Sequence, residues 1–176
     1  ETARALSLLR RSWGWYLNNP NGTQSTVIEG YGADGSFGYR SDSGYLDDAS
    51  YVSHSHGWSS GPTSALTNYV LGLSITSPRG VTWKIAPQFG DLYSVEGGFV
   101  TSLGKYWASW TRKQDSYSIS FSVPKGTRGN LTLPFLGTEK PSIRIDGMDI
   151  YRGVVYSDAT ATVTVSGGGD HKVVVR

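Results

Sequence analysis

Tyr117-Ser118-Ile119-Ser120-Phe121-Ser122-Val123 alternates large apolar and small polar residues without a break. A period of two puts the four apolar side chains on one face of an extended strand and the three serines on the other. Outward from this stretch the same period recurs, in Val81, Trp83 and Ile85 before it and in Leu131, Leu133 and Phe135 after it. Ile143 and Ile145 run into Asp146-Gly147 and leave through Met148 and Ile150, which is a strong two-residue hairpin signal. Ala161, Val163 and Val165 stand across Gly167-Gly168-Gly169-Asp170 from Val173 and Val175, predicting a further hairpin. Short strands punctuated by turns in this way predict an antiparallel β-sandwich over residues 76–176.

Upstream the period changes to 3.6. Leu6, Leu9, Trp13 and Leu17 form one stripe, and Asn18-Asn19-Pro20-Asn21-Gly22 stops it, because Pro20 biases Asn19 out of the helical region. A helix that begins at the first residue predicts that the chain continues a longer polypeptide. Thr23 to Ser60 is a Gly- and Ser-rich connection far longer than the ~4–6 residues typical of loops, which predicts a functional segment. A second helix is predicted from about Thr63 to Leu71, with Pro62 in its first turn, Leu66, Tyr69, Val70 and Leu73 as its apolar stripe and Gly72 at its end. Residues 1–75 thus hold two helices and a long loop, and the fold class is mainly β with an N-terminal α part.

Composition narrows the function. Charged residues make up 17 % of the 176, against a usual ~25 %, and the net charge is +2, so no nucleic-acid footprint is visible. No stretch approaches the ~20 apolar residues of a membrane span. With no Cys there is no disulfide, thiol nucleophile or Cys-ligated zinc site. Asn21-Gly22-Thr23 and Asn130-Leu131-Thr132 satisfy the N-glycosylation sequon and point toward secretion. The six Trp and eleven Tyr supply core volume and sugar-stacking surface together.

Several motifs fail on context. Gly30-Tyr31-Gly32-Ala33-Asp34-Gly35 matches a dinucleotide fingerprint, yet Ser36-Phe37-Gly38-Tyr39-Arg40 does not open the helix that would hold a pyrophosphate. Gly57-Trp58-Ser59-Ser60-Gly61 matches a nucleophile elbow, but no buried parallel strand precedes it and His171 is the one later His. His54-Ser55-His56, near Asp47 and Asp48, could seed a metal site, although no third ligand is identifiable; the alternative is hydrogen bonding in a polar loop. Glu29 sits among apolar neighbours in Val27-Ile28-Glu29-Gly30-Tyr31. It is either a general base at a cleft or a loop carboxylate bonded to backbone N–H groups, and periodicity does not decide.

An ordered series of segments resembles the C-terminal part of the inverting α-L-rhamnosidase family of glycoside hydrolases, particularly its fungal members. The series runs through Trp13-Gly14-Trp15-Tyr16, Gly22-Thr23-Gln24-Ser25-Thr26-Val27-Ile28-Glu29-Gly30-Tyr31 and Ser55-His56-Gly57-Trp58-Ser59-Ser60-Gly61-Pro62. It continues with Val70-Leu71-Gly72-Leu73, Trp83-Lys84-Ile85-Ala86-Pro87, Gly97-Gly98-Phe99-Val100-Thr101, Gly104-Lys105-Tyr106-Trp107-Ala108-Ser109-Trp110 and Val123-Pro124-Lys125-Gly126-Thr127. The resemblance implies that residues 1–75 are the last helices and loop of an (α/α)6 barrel, and residues 76–176 the β-sandwich that follows it.

It also implies a chemistry. The Thr-x-x-Glu segment is where the family places its general base, here Glu29, although the usual Thr-x-Trp-Glu-Arg becomes Ile28 before the carboxylate and Gly30 after it. The family's sugar-binding His maps to His56, and Trp58 with Trp13 or Trp15 to barrel-lining aromatics. Core packing is the favoured role for Trp13. The partner acid would come from an earlier part of the barrel, because Asp34, Asp42, Asp47 and Asp48 lie on the wrong side of the base in sequence. The implied substrate is a rhamnose-containing glycan or glycoside, the implied partner the remainder of the enzyme, with no cofactor or metal. Without that remainder, the stripe Leu6, Leu9, Trp13 and Leu17 would face water. Two other readings stand beside this one: a non-catalytic carbohydrate-binding module, which an exposed row of Trp83, Trp107 and Trp110 would favour, and a purely structural brace.

Overall fold

The computed structural model describes residues 1–37 and 51–176. By packing they divide into two compact units, residues 3–64 and residues 65–176, with the boundary inside the second helical segment. Residues 65–75, which the sequence groups with the helices, pack with the strands.

Among the described residues of the second unit there are eleven strands: β1 (Leu73–Ile75), β2 (Thr82–Ile85), β3 (Ser94–Thr101), β4 (Gly104–Arg112), β5 (Tyr117–Val123), β6 (Arg128–Pro134), β7 (Ile143–Ile145), β8 (Met148–Asp149), β9 (Val154–Tyr156), β10 (Thr160–Ser166) and β11 (Gly169–Val175). They form a five-stranded sheet in the order β1-β2-β6-β10-β9 and a six-stranded sheet in the order β3-β4-β5-β11-β7-β8. The pairings are antiparallel except β2 with β6, which run parallel from Thr82 beside Arg128 to Ile85 beside Leu131. The mainly β reading holds. β5 buries Tyr117, Ile119, Phe121 and Val123 and turns its serines outward, as its alternation predicts. Asp146 and Gly147 both adopt positive φ, 51° and 83°, and join β7 to β8 as a tight hairpin.

The hairpin predicted across Gly167-Gly168-Gly169-Asp170 does not form. β10 pairs with β6 and β9, whereas β11 pairs with β5 and β7, so the connection passes from one sheet to the other. The glycines serve that corner. Gly167 and Gly169 have φ of 113° and 132°, and a Cβ on Gly168 would fall 1.9 Å from the Pro124 carbonyl oxygen.

The sandwich core is aromatic, and the N–H and O–H groups of Trp83, Trp110, Tyr106 and Tyr117 within it are paired. Trp83 and Trp110 are each 1 % exposed. Trp83 Nε1–H donates to Thr127 Oγ1 at 3.1 Å, and Trp110 Nε1–H to the Val70 carbonyl at 3.0 Å. Tyr117 OH donates to the Pro134 carbonyl at 2.9 Å, and Tyr106 OH to that of Gly80. Pairing matters here, since a buried N–H or O–H left without a partner costs about 1–3 kcal/mol. Gly129 makes room for the Trp83 indole, because a Cβ there would lie 2.1 Å from the ring.

In the first unit the chain begins with α1 (Thr2–Leu9), widens into a π turn over Arg10–Gly14, and returns to α geometry in α2 (Trp15–Leu17). The predicted stripe breaks at its end. Tyr16 is 1 % exposed and Leu17 37 %, because the Tyr16 ring packs with Ile28 and Val52 while its hydroxyl finds a partner. The second helical segment begins earlier than predicted, as a 3-10 turn at Gly57–Ser60 leading into α3 (Gly61–Ala65) and a π turn over Leu66–Leu71. Its apolar stripe also differs from expectation. Val70 and Leu71 are buried, whereas Leu66 and Tyr69 are exposed, because the widened final turn does not keep the 3.6-residue phase. Gly72 ends it in the left-handed region, where a Cβ would lie 2.4 Å from the Ala86 carbonyl carbon.

Candidate active site

The described part of the Thr23–Ser60 connection folds back on itself. Glu29 N–H donates to the Ser53 carbonyl at 2.8 Å, and His56 N–H to the Val27 carbonyl at 2.8 Å. Thr26 Oγ1 adds a bond to the His54 carbonyl at 2.6 Å. These bonds lay residues 26–29 alongside residues 53–56, so the two stretches that the sequence singles out meet in space. Ser53 N–H also donates to Glu29 Oε2 at 3.2 Å, which holds one carboxylate oxygen.

Beside this ladder lies a cavity of about 260 Å³, lined by Ser12, Trp13, Tyr16, Ile28, Glu29, Gly30, Tyr31 and Ser59. Glu29 is the one carboxylate among those residues. Ile28, just before it, is buried, and Trp13 is fixed by donating Nε1–H to the Ser59 carbonyl at 2.7 Å. Trp15 sits in an aromatic cluster, 4.7 Å from Tyr31 and 5.7 Å from Phe37 between ring centroids. The cavity therefore combines a hydrogen-bonded carboxylate with flat aromatic walls, which suits an acid–base step on a sugar held by its apolar face.

The other predicted residues are dispersed. His56 is half-buried, its N–H bonded to Val27 and its carbonyl accepting Ser59 N–H at 3.0 Å. Trp58 is 92 % exposed and lines no part of the cavity. Asn21 and Asn130 are both exposed, with Asn130 Oδ1 accepting from Thr164 Oγ1. Gly30–Gly35 forms a turn closed by Gly35 N–H to the Gly32 carbonyl, with no strand leading into it and no helix at the described residues that follow, Ser36 and Phe37. Ser59 lies in the 3-10 turn rather than on a strand-to-helix elbow. Among the described residues no three His, Asp or Glu side chains gather as metal ligands. Gly38, Tyr39, Arg40, Asp42, Asp47 and Asp48 lie outside the described residues.

Nothing in the sequence singles out Tyr16, Tyr31 or Phe37 for this site, and His54 is weighed there as a metal ligand or a hydrogen-bonding loop residue, of which the structure shows the hydrogen bond. Tyr16 OH lies 3.0 Å from His54 Nδ1, and the His54 ring stands edge-on to Phe37 at 5.4 Å. The available signal was a run of three aromatics, Trp13, Trp15 and Tyr16, at the end of a helix facing a loop rich in Tyr and Phe. Aromatic clusters of that kind have no fixed spacing to search for.

Fold and site together define a mainly β chain whose helical first unit carries a carboxylate at a cavity. Residues 72–144 match the family model of the bacterial alpha-L-rhamnosidase C-terminal domain, so the sandwich contains that domain and the chain is rhamnosidase-related. Its fold is similar to that of the alpha-L-rhamnosidase from Dictyoglumus thermophilum, with a TM-score of 0.67 at 20 % identity over 80 % of this chain and 17 % of that one. The Streptomyces avermitilis alpha-L-rhamnosidase complexed with L-rhamnose gives 0.63 at 18 % identity, over 82 % of this chain and 13 % of that one. The Aspergillus terreus enzyme gives 0.52 at 24 %, over 71 % and 12 %. The chain thus spans less than a fifth of these relatives. For all three, the share of this chain covered exceeds that of residues 65–176 and so includes part of the first unit. No curated protein matches the sequence.

Proposed function

We propose that this chain is the C-terminal part of an α-L-rhamnosidase-type glycoside hydrolase, in which it supplies the general base for inversion at the anomeric carbon. The observation that carries the proposal is Glu29, a carboxylate facing a cavity walled by Trp13, Tyr16 and Tyr31 and steadied by Ser53 N–H. In an inverting reaction, one carboxylic acid protonates the leaving oxygen while a carboxylate ~6.5–9.5 Å away activates a water on the opposite face. Glu29 takes the second role, accepting the water's proton as the C–O bond to the aglycone breaks. The acid comes from a preceding part of the enzyme. His56 hydrogen-bonds the sugar, and Trp15 and Trp58 contribute aromatic surface to the completed site. The enzyme is secreted and carries glycans at Asn21 and Asn130, both exposed.

The reading as a sugar-binding sandwich loses its aromatic row, since Trp83 and Trp110 are buried and Trp107 alone of the three is half-exposed. Incubating the isolated chain with an aryl α-L-rhamnoside should give no hydrolysis. The complete enzyme should release rhamnose first as the inverted β-anomer, seen by proton NMR during early turnover. Turnover by the isolated chain, or first release of the α-anomer, would refute the assignment.

A further inference from the structure

The Tyr16–His54 contact joins a buried helix residue to the segment that holds the Glu29 carboxylate. Tyr16 OH is 3.0 Å from His54 Nδ1, and Thr23 N–H approaches the same hydroxyl oxygen at 3.4 Å. One arrangement satisfies both: the hydroxyl accepts from Thr23 and donates to His54, whose Nδ1 then carries no proton. The Tyr16 ring stands edge-on to Phe37 at 5.6 Å, and Phe37 in turn packs edge-on to His54. Four polar bonds tie residues 53–56 to residues 26–29: Glu29 N–H to the Ser53 carbonyl, Ser53 N–H to Glu29 Oε2, His56 N–H to the Val27 carbonyl, and Thr26 Oγ1 to the His54 carbonyl. Those four bonds fix the two loop stretches to each other. The bond from Tyr16 fixes the ladder to the helix end, one residue before Leu17 and within the wall of the cavity.

We infer that Tyr16 and His54 form a positioning pair, which locks the residue beside Ser53 so that Ser53 N–H is aimed at the Glu29 carboxylate and the carboxylate at the cavity. The inference rests on the reading of Glu29 as general base. A carboxylate on a glycine-rich loop has many rotamers open to it, and a misaimed base loses the alignment that a water-activating step requires. His54 is suited to this task because its ring packs against both Tyr16 and Phe37 while its backbone carbonyl accepts from Thr26. The outcome is an anchored oxygen acceptor in a segment that is otherwise irregular.

Tyr16→Phe removes the hydroxyl and keeps the buried ring. In this chain, the variant should speed hydrogen exchange at Ser53 N–H by about tenfold or more, the scale of one lost hydrogen bond, while the amides of α1 keep wild-type rates. In the complete enzyme it should lower kcat by about tenfold with KM within twofold, and in a Glu29→Gln background it should cost nothing further. His54→Gln, whose amide oxygen replaces Nδ1 as the acceptor for Tyr16, should recover most of the kcat that His54→Ala loses. Unchanged Ser53 exchange in Tyr16→Phe would overturn the positioning pair, as would an undiminished effect of Tyr16→Phe in the Glu29→Gln enzyme. If Glu29→Gln itself leaves kcat intact, the reading of Glu29 falls, while the Ser53 exchange still decides whether the pair positions its loop.

Discussion

The two units are held together by different kinds of contact. Residues 65–176 rest on strand ladders over an apolar core, where Trp83, Trp110, Tyr106 and Tyr117 are buried and each donates its polar hydrogen to a partner. Among the described residues of 3–64 the apolar cluster is Tyr16, Ile28 and Val52 with Trp15, Tyr31 and Phe37 against it, joined by side chains bonded to backbone groups. A sandwich of this kind supplies stability. A loop region pinned by polar contacts supplies aim, and can be altered without unfolding the whole.

Substitutions can break or sharpen that contrast. Trp110→Ala should cost about 3–5 kcal/mol, by opening a cavity and leaving the Val70 carbonyl without its donor. Calorimetry would read this as a drop in Tm, and a loss under 1 kcal/mol would contradict the picture of a tightly filled sandwich. Gly129→Ala should cost about 1–3 kcal/mol, since its methyl group lands on the Trp83 indole and the ring must shift. Urea unfolding would check it, and a neutral result would mean the indole has slack.

Acid sensitivity should also separate the units. Burial alone would raise Asp146. The bonds from His171 Nδ1 at 2.8 Å and Lys172 N–H at 2.7 Å outweigh it and hold the carboxyl below its ordinary value near 3.8. The bond from Arg144 likewise lowers Asp149. Because both folded values lie below the unfolded ones, these groups stabilise the β7–β8 hairpin above the ordinary carboxylate range, and that contribution is lost as pH falls through the depressed values. Asp146→Asn should therefore flatten the decline of Tm below about pH 4. A steeper decline in the variant would reverse the sign of this account. The smallest effect is expected at Trp58, 92 % exposed, where substitution by Ala should change stability by less than about 0.5 kcal/mol and raise KM of the complete enzyme. A KM that does not move would remove Trp58 from the substrate-binding surface.

The sandwich was largely legible because burial on one face imposes a period of two. The stretch from Tyr117 to Val123 states it outright, and Asp146-Gly147 announces its own turn. What the period does not encode is which sheet a strand joins. Val163 and Val173 alternate equally well whether β10 and β11 pair with each other or with different neighbours, and the Gly167-Gly168-Gly169 run permits a hairpin or a corner. The parallel pairing of β2 with β6 was invisible for the same reason. In the first unit the π turn over Arg10–Gly14 interrupts the helical phase, so the stripe drawn through Leu17 misses Tyr16. Glu29 could be picked out by its chemistry and by resemblance. His54 could be read as a metal ligand or a hydrogen-bonding loop residue but not placed beside Glu29, and Ser53 could not be picked out at all, since a backbone N–H on a distant loop leaves no mark in the residue type.

The proposed chemistry turns on one carboxylate, and one substitution tests it. Glu29→Gln in the complete enzyme should lower kcat on an aryl α-L-rhamnoside by about 10²–10⁴-fold, the usual contribution of a general base, with Tm unchanged. A Glu29→Gln enzyme that folds normally and turns over at the wild-type rate would contradict the account.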